Sequence, residues 1–455
     1  MPSHVLVFPY PAQGHMIPLL DLTDQLAARG VTVTILVTPK NLRLLSPLLS
    51  VHPHSINPLV LPFPPHPAIP AGVENTIDLP ASGFRHMMCA LAGLRDPILH
   101  WFRGHPSPPS AVIFDMFLGW TNHLAADLGL RGYAFFPSGA FAISFIHSLW
   151  RQMPQAELVG FPEIPSSPIY PWWQLSPVFR SYIKGDPDSE FIRDSYLANF
   201  EGQGLVFNSF DEMEGAHLEY LANKFHVWAV GPLLPPDHVT DRGGSSAVIA
   251  SEVCSWLDTC QDHSVVYVCF GSQAVLTNEQ MSELASGLEK SGVRFILSVK
   301  SATLGHHGGG YGSIPEGFEA RVAGRGLVIK GWAPQVPILR HKALRAFLTH
   351  CGWNSTLESI VAGVPMLVWP MGADQYLNAT LLVEQLDVAI RVCEGPTTVL
   401  DSDELVRVLG QVASDKWSEK RARAVALSKA AEDAMRIGGR PFKNLDNFAG
   451  LLAQK

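Results

Sequence analysis

Short β-branched and aromatic runs alternate along the chain with stretches where apolar residues recur every three or four positions. "HVLVF", from His4, has strand character; "PYPAQGH" interrupts it with Pro and Gly, and "MIPLLDLTDQLAARG" follows at helical spacing with Gly30 as its stop. "VTVTILV" comes next as a second strand. Strand, helix and parallel strand form the unit of a doubly wound α/β sheet. "SAVIFD" at Asp115 and "GYAFFPS" at Ser138 read as later strands of the same sheet. The stretch 235–250, "PPDHVTDRGGSSAVIA", is rich in Pro, Gly and Ser and reads as a linker. The alternation then restarts with "SVVYVCFGS", the amphipathic "NEQMSELASGLEKSG" and "RFILSVK", and continues through "GLVIKGW", "ALRAFLTH" and "VPMLVWP". The expectation is two Rossmann-like βαβ domains, 1–234 and 251–434, with a closing helix in 435–455 that packs back on the N-terminal domain.

Composition narrows the choice. A chain of 455 residues exceeds one ordinary core, which agrees with two domains. A net charge of −8 argues against nucleic acid as the main partner, since a phosphate backbone calls for a basic face. The six cysteines (Cys89, Cys254, Cys260, Cys269, Cys351, Cys393) form no CxxC pair, as expected of a reduced intracellular protein. Neither a signal-peptide pattern nor an apolar run of about 18 residues is present, so a cytoplasmic protein without a membrane span is expected.

In open α/β sheets ligands bind outside the carboxyl ends of the strands, and here nearly every such end carries a group able to bind something. The first strand leads to Gly14-His15 and a later one ends at Asp115. In the second half come Gly271-Ser272, Trp332-Ala333-Pro334-Gln335, His350 through Glu358, and Asp374-Gln375. His15 begins a helix, where the positive dipole end disfavours an added proton. Asp115 could fix its tautomer and stabilise the imidazolium formed when it acts as a base. The plain alternatives are an exposed turn residue and a helix cap. "THCGWNSTLES", from Thr349, also admits two readings. Ser355 through Glu358 matches a capping box, and a helix start beside a histidine is a place to hold phosphate. "GHHGGGYG", Gly305 to Gly312, offers adjacent histidines without a third ligand at fixed offset and reads as a loop. No GxSxG elbow or GxGxxG fingerprint occurs, which disfavours a serine hydrolase and a dinucleotide oxidoreductase.

The residues from Trp332 to Gln375, "WAPQVPILRHKALRAFLTHCGWNSTLESIVAGVPMLVWPMGADQ", resemble the signature box of plant family 1 UDP-glycosyltransferases. "FPYPAQGHMIPLLDL" resembles that family's acceptor-base motif and "VVYVCFGSQ" its phosphate-contacting strand and loop. The likeness runs from end to end. It implies the GT-B architecture, two Rossmann-like domains facing across a cleft, with the donor in the C-terminal domain and the acceptor in the N-terminal one. It further implies that Trp332 stacks on uracil, Ala333 meets its edge, and Gln335 and Glu358 bind the ribose. Ser272, His350, Asn354 and Ser355 would hold the diphosphate, and Trp353, Asp374 and Gln375 the sugar. His15 with Asp115 would deprotonate an acceptor hydroxyl for single-step inverting transfer. Gln375 at the end of the box resembles glucose users, whereas galactose users tend to carry His there; Cys269 departs from the small hydroxyl or aliphatic residue of many relatives.

Metal-dependent glycosyltransferases of the other main fold use Asp-x-Asp. Asp186-Pro187-Asp188 fits the letters but reads as a polar loop, and Asp401-Ser402-Asp403 reads as a helix cap. No cofactor and no metal are therefore expected, the partners being a UDP-sugar and a small-molecule acceptor, the protein a monomer. Phe117 and Ser138 follow strand ends and are candidate acceptor contacts. The acceptor implied is phenolic, of flavonoid or benzoate type, with terpenoids and hormones open. UDP-rhamnose, UDP-xylose or UDP-galactose would keep the chemistry, and a non-catalytic nucleotide-binding module is the alternative of another class.

Overall fold

In the computed structural model, which describes residues 3–80, 82–234, 246–300, 310–412 and 414–454, the strands are short and their residues largely buried. The first sheet is built from β1 (His4–Phe8), β2 (Thr32–Val37), β3 (Ile56–Val60), β4 (Ala111–Asp115) and β5 (Arg131–Phe136). A separate two-stranded hairpin, β6 (Leu158–Val159) and β7 (Tyr170–Pro171), precedes its last two strands, β8 (Gly204–Phe207) and β9 (Val227–Ala229). The order is β3-β2-β1-β4-β5-β8-β9, every pairing parallel. The second sheet contains β10 (Val265–Cys269), β11 (Arg294–Val299), β12 (Gly326–Lys330), β13 (Leu344–Thr349), β14 (Met366–Val368) and β15 (Ala389–Arg391). Its order is β12-β11-β10-β13-β14-β15, again parallel throughout.

Parallel sheets covered on both faces bury successive residues, so their central strands read as unbroken apolar runs. All five residues of β1 and of β4 are buried. β3, at the sheet edge, carries Pro58 and leaves Asn57, Pro58 and Val60 exposed, as an edge strand can.

The chain divides into two compact units, Met1–Leu234 with Asp433–Lys455, and Pro235–Glu432. In the first, the C-terminal helix Arg440–Ala453 adds Leu445, Phe448 and Leu452 to the core under β1, β2 and β4. Arg29 Nε donates to Asp446 at 2.7 Å, and Arg131 donates to the carbonyls of Leu451 and Gln454 at the helix end.

Several sequence readings change. Asp186-Pro187-Asp188 is not a loop: Asp186 caps the helix Pro187–Ala198, its carboxylate accepting the Ser189 amide at 3.0 Å. The capping-box reading of Ser355–Glu358 also fails. The helix begins earlier, at Trp353, with Gly352 as its cap residue and no side-chain cap, so Ser355 and Glu358 lie inside it. A true capping box sits at Thr277, whose hydroxyl accepts the Gln280 amide while the Gln280 side chain accepts the Thr277 amide. His306 and His307 of the glycine-rich stretch, and residues 235–245 of the linker, lie outside the described residues. All six cysteines are free thiols. Among the described residues no helix is long and apolar enough to cross a membrane.

Candidate active site

Each sheet reverses its winding direction once: between β1 and β4 in the first unit, and between β10 and β13 in the second. At such switch points the connections leave in opposite directions and open a crevice at the strand ends. His15 and Asp115 stand at the first and Ser272 and His350 at the second, while Trp332 to Gln335 follow β12 and Asp374 and Gln375 follow β14.

In the first unit Phe8 pairs with Phe114, so the chain leaving β1 passes directly beside the end of β4. The helix Gln13–Ala27 starts there without a side-chain cap, and His15 lies in its first turn. Its Nδ1 is 2.8 Å from Asp115 Oδ2. Asp115 is fully buried, and its Oδ1 accepts the Phe117 amide at 2.9 Å. The carboxylate oxygen accepts, so Nδ1 of His15 donates and Nε2 is left with its lone pair. His15 keeps 15% side-chain exposure.

Phe117 stands with its ring centroid 4.5 Å from that of His15. Around it pack Tyr10, Phe84 and Tyr196, at 5.0, 6.3 and 5.8 Å. Burial, reinforced by the Asp115 charge, raises the Tyr10 phenol well above its ordinary range, and its hydroxyl donates to the Phe84 carbonyl at 3.0 Å. Tyr10 is therefore a neutral wall rather than a second base. Ser138 lies beyond the end of β5, next to β4, and is 1% exposed. Just after it, the amides of Ala140 and Phe141 are taken by the buried Glu214 carboxylate at 3.0 and 2.9 Å. The helix start there is thus satisfied internally. Tyr10, Phe84 and Tyr196 were missed from sequence. Tyr10 lies in the quoted "FPYP" segment, whereas Phe84 and Tyr196 arrive on distant helices that no local pattern links to His15.

In the second unit, His350 follows β13 and is buried. Its Nδ1 has no hydrogen-bond partner, and burial pushes its pKa down to about 4. Gly271, beyond β10 with φ of +73°, faces this ring: a side-chain carbon there would lie 2.5 Å from Cε1 of His350. Only glycine meets both demands. Ser272 follows, its carbonyl accepting from the Lys300 ammonium. After His350, Cys351 adopts φ of +66°, a strained position for a non-glycine residue. Its carbonyl is held by Asn378 Nδ2 at 2.9 Å. That turn aims the N-terminus of the helix Trp353–Val361, with Asn354 and Ser355 in its first turn, next to the His350 ring. The positive end of that helix dipole and a neutral imidazole converge.

Gln335 joins two parts of this site. Its Nε2 donates to Ser355 Oγ at 3.0 Å and to Glu358 Oε2 at 2.7 Å, and its Oε1 accepts from the Tyr267 hydroxyl at 3.3 Å. Glu358 and Ser355 are each 7% exposed. Trp332, half-buried, fixes the adjoining loop by accepting the Ala247 amide at 2.7 Å; Ala333 is buried and its carbonyl accepts the Gln335 amide. Trp353 is buried at the start of its helix. Beyond β14, Asp374 precedes the helix Gln375–Thr380. Gln375 Oε1 accepts the Met371 and Gly372 amides at 2.9 and 3.0 Å, which turns its amide nitrogen away from the loop.

The family model described as "UDP-glucoronosyl and UDP-glucosyl transferase" matches residues 204–446. Among curated relatives, UDP-glycosyltransferase 89B2 of Stevia rebaudiana is 55% identical, the match covering 99% of this chain and 98% of the relative. Flavonol 3-O-glucosyltransferase UGT89B1 of Arabidopsis thaliana is 53% identical over 98% of this chain and 95% of its own length. Among solved structures, Arabidopsis thaliana UGT89C1 complexed with UDP-L-rhamnose superposes with a TM-score of 0.84 at 40% identity, covering all of both chains. The same protein complexed with quercetin gives 0.82 at 38% identity, again over all of both chains.

Proposed function

The chain belongs to the plant family 1 UDP-glycosyltransferases of GT-B fold, and from that premise we propose that it transfers glucose from UDP-glucose to a hydroxyl of a small phenolic acceptor of flavonoid type. The observation that carries the reading is the His15–Asp115 pair at 2.8 Å with Phe117 against the imidazole. An aromatic ring lying on Phe117 suits a flat phenol, and Nε2 is the atom that takes its proton. Deprotonation makes the phenolate oxygen a nucleophile for the anomeric carbon. Asp115 stabilises the imidazolium, UDP departs from the opposite face, and an α-linked donor gives a β-glycoside. General-base assistance of this kind contributes roughly 10²–10⁴ in rate.

On the donor side, Trp332 is the stacking surface for uracil, with Ala333 at the base edge. Gln335 and Glu358 meet the ribose hydroxyls. Ser272, His350, Asn354 and Ser355 take the diphosphate, and Trp353, Asp374 and Gln375 the sugar. The charge that grows on departing UDP is met by the helix start, the imidazole and the hydroxyls, so transfer requires no metal ion. Glucose is favoured by the 53% identical relative named as a glucosyltransferase. Rhamnose is the second reading, supported by UGT89C1 at 40% identity with its UDP-L-rhamnose.

The test is the purified full chain with UDP-glucose or UDP-rhamnose against a flavonol panel, products resolved by mass. A hexose adduct formed faster than a deoxyhexose adduct is the expected result. Deoxyhexose products in excess would remove glucose, and no phenolic product from either donor would remove the acceptor class.

A further inference from the structure

Apart from the two switch points, a third cluster of chemically capable side chains stands in the first unit. His66, His86 and Asp188 each offer one ligand atom within 4.8 Å of the others, and all three residues are half-buried. They come from separate segments: His66 from the stretch after β3, His86 from the helix Gly83–Leu91, and Asp188 from the first turn of the helix Pro187–Ala198. The two imidazole rings lie 5.5 Å apart, tilted by 36°. Nδ1 of His86 is buried without a hydrogen-bond partner. A polar atom left in that state costs free energy unless something meets it.

We propose that His66, His86 and Asp188 bind a divalent transition cation of the zinc class. Two imidazole nitrogens and one carboxylate oxygen form a borderline donor set that suits such ions and disfavours Mg²⁺ and Ca²⁺, which prefer oxygen throughout. Bonds of about 2.0–2.1 Å from one ion require the three donors to draw together from their present spacing of up to 4.8 Å. Arg85 is adjacent, but its guanidinium is engaged by Asp186 at 2.8 Å, which offsets its charge. His66 Nδ1 accepts the Ala68 amide at 3.2 Å. Coordination through Nε2 moves the ring proton to Nδ1 and returns the amide of exposed Ala68 to water. The Asp-x-Asp letters at residue 186 thus acquire a metal role through Asp188 alone, with histidines that no spacing rule connects to it.

The site lies next to the acceptor wall. Phe84 precedes His86 by two residues on the same helix, and Tyr196 is on the helix of Asp188; both rings pack on Phe117. A cation joining these helices stiffens the aromatic wall beside His15 without touching the reacting atoms.

The full chain, stripped with a chelator and desalted, is titrated calorimetrically with Zn²⁺, and separately with Co²⁺ followed by its visible absorption. Wild type should bind one equivalent with a raised melting temperature, and Mg²⁺ should cause no shift. His86→Ala, His66→Ala and Asp188→Asn should each weaken that equivalent at least tenfold, while their metal-free melting temperatures stay at the metal-free wild-type value. Should His86→Ala fold poorly, His66→Ala carries the test, because it lies in an irregular segment. Absence of saturable binding, or binding unchanged in the His66 and Asp188 variants, overturns the site. A failed flavonol assay would leave this readout untouched, so the two proposals fail separately.

Discussion

At the β1/β4 junction His15 donates a hydrogen bond from Nδ1 to a buried carboxylate, while at the β10/β13 junction His350 is buried with its Nδ1 facing no hydrogen-bond partner. Both sheets carry a histidine at the switch point, His15 after β1 in the first and His350 after β13 in the second, and the two imidazoles have different surroundings. A carboxylate behind the ring stabilises the imidazolium once a proton has been taken. A ring buried without a counter-charge resists protonation, and its pKa falls to about 4. That ring can donate a hydrogen bond to phosphate but cannot usefully accept a proton at neutral pH. The fold supplies the crevice; the residues behind each ring decide what occurs there.

The largest test of this contrast is at His15. His15→Ala should lower turnover by roughly 10²–10⁴ and leave UDP affinity by calorimetry near wild type. Asp115→Asn keeps the volume but cannot stabilise the imidazolium, so it should lower turnover without altering donor KM. Near wild-type rates on phenols in His15→Ala would remove the base assignment. His350→Ala comes next. It should cost about 10²–10³ in turnover, the scale of one lost oxyanion donor, and should also weaken UDP binding. Acceptor KM should not move. Equal effects of both substitutions on UDP affinity would mean that the two histidines are not divided in role.

How much of this the chain announces differs between the regions. Most of the second site was readable because its residues, Ser272 and Gly271 apart, lie within one continuous stretch, Trp332 to Gln375, that starts just after β12 and crosses the ends of β13 and β14. The pairing of His15 with Asp115 was also accessible, since both follow strands and parallel neighbours bring strand ends together. Phe84 and Tyr196 were not, because helices deliver them from positions with no fixed offset to His15. Among strands, β3 was obscured by Pro58 and its exposed positions, and β9 has only three residues. The capping-box error is instructive. Ser355 and Glu358 have the right spacing, but the left-handed turn at Cys351 starts the helix at Trp353 and commits both side chains to Gln335. Local pattern lost to tertiary contact.

The histidine contrast also predicts acid sensitivity. Burial lowers His350 from 6.5 to about 4, and His147 likewise to about 4. Between those values the unfolded chain takes up protons that the folded chain refuses, so stability falls as pH drops from about 6.5 towards 4. For His350 the loss at the low end is on the order of 3 kcal/mol. Denaturant melts of wild type and His350→Gln at pH 7 and pH 4.5 should therefore show a smaller acid-induced loss in the variant. The same loss in both would mean that His350 is not the buried neutral group described.

The smallest expected effect separates the proposed sugar end of the second site from its proposed phosphate end. Gln375 Oε1 accepts two loop amides, from Met371 and Gly372. Gln375→Glu retains an oxygen able to accept both, so the turn should survive and the melting temperature should hold within a degree or two. What changes is the group facing outwards: an amide that donates becomes a carboxylate that only accepts. Against a sugar hydroxyl used as an acceptor this removes one hydrogen bond, worth about 0.5–1.5 kcal/mol, a several-fold rise in KM for the UDP-sugar. The inhibition constant of free UDP, which lacks the transferred sugar, should stay within a factor of about two of wild type. A parallel rise in both constants would place Gln375 with His350 on the diphosphate. No change in either would show that the outward amide contacts no substrate, leaving Oε1 and its loop as the whole of its role.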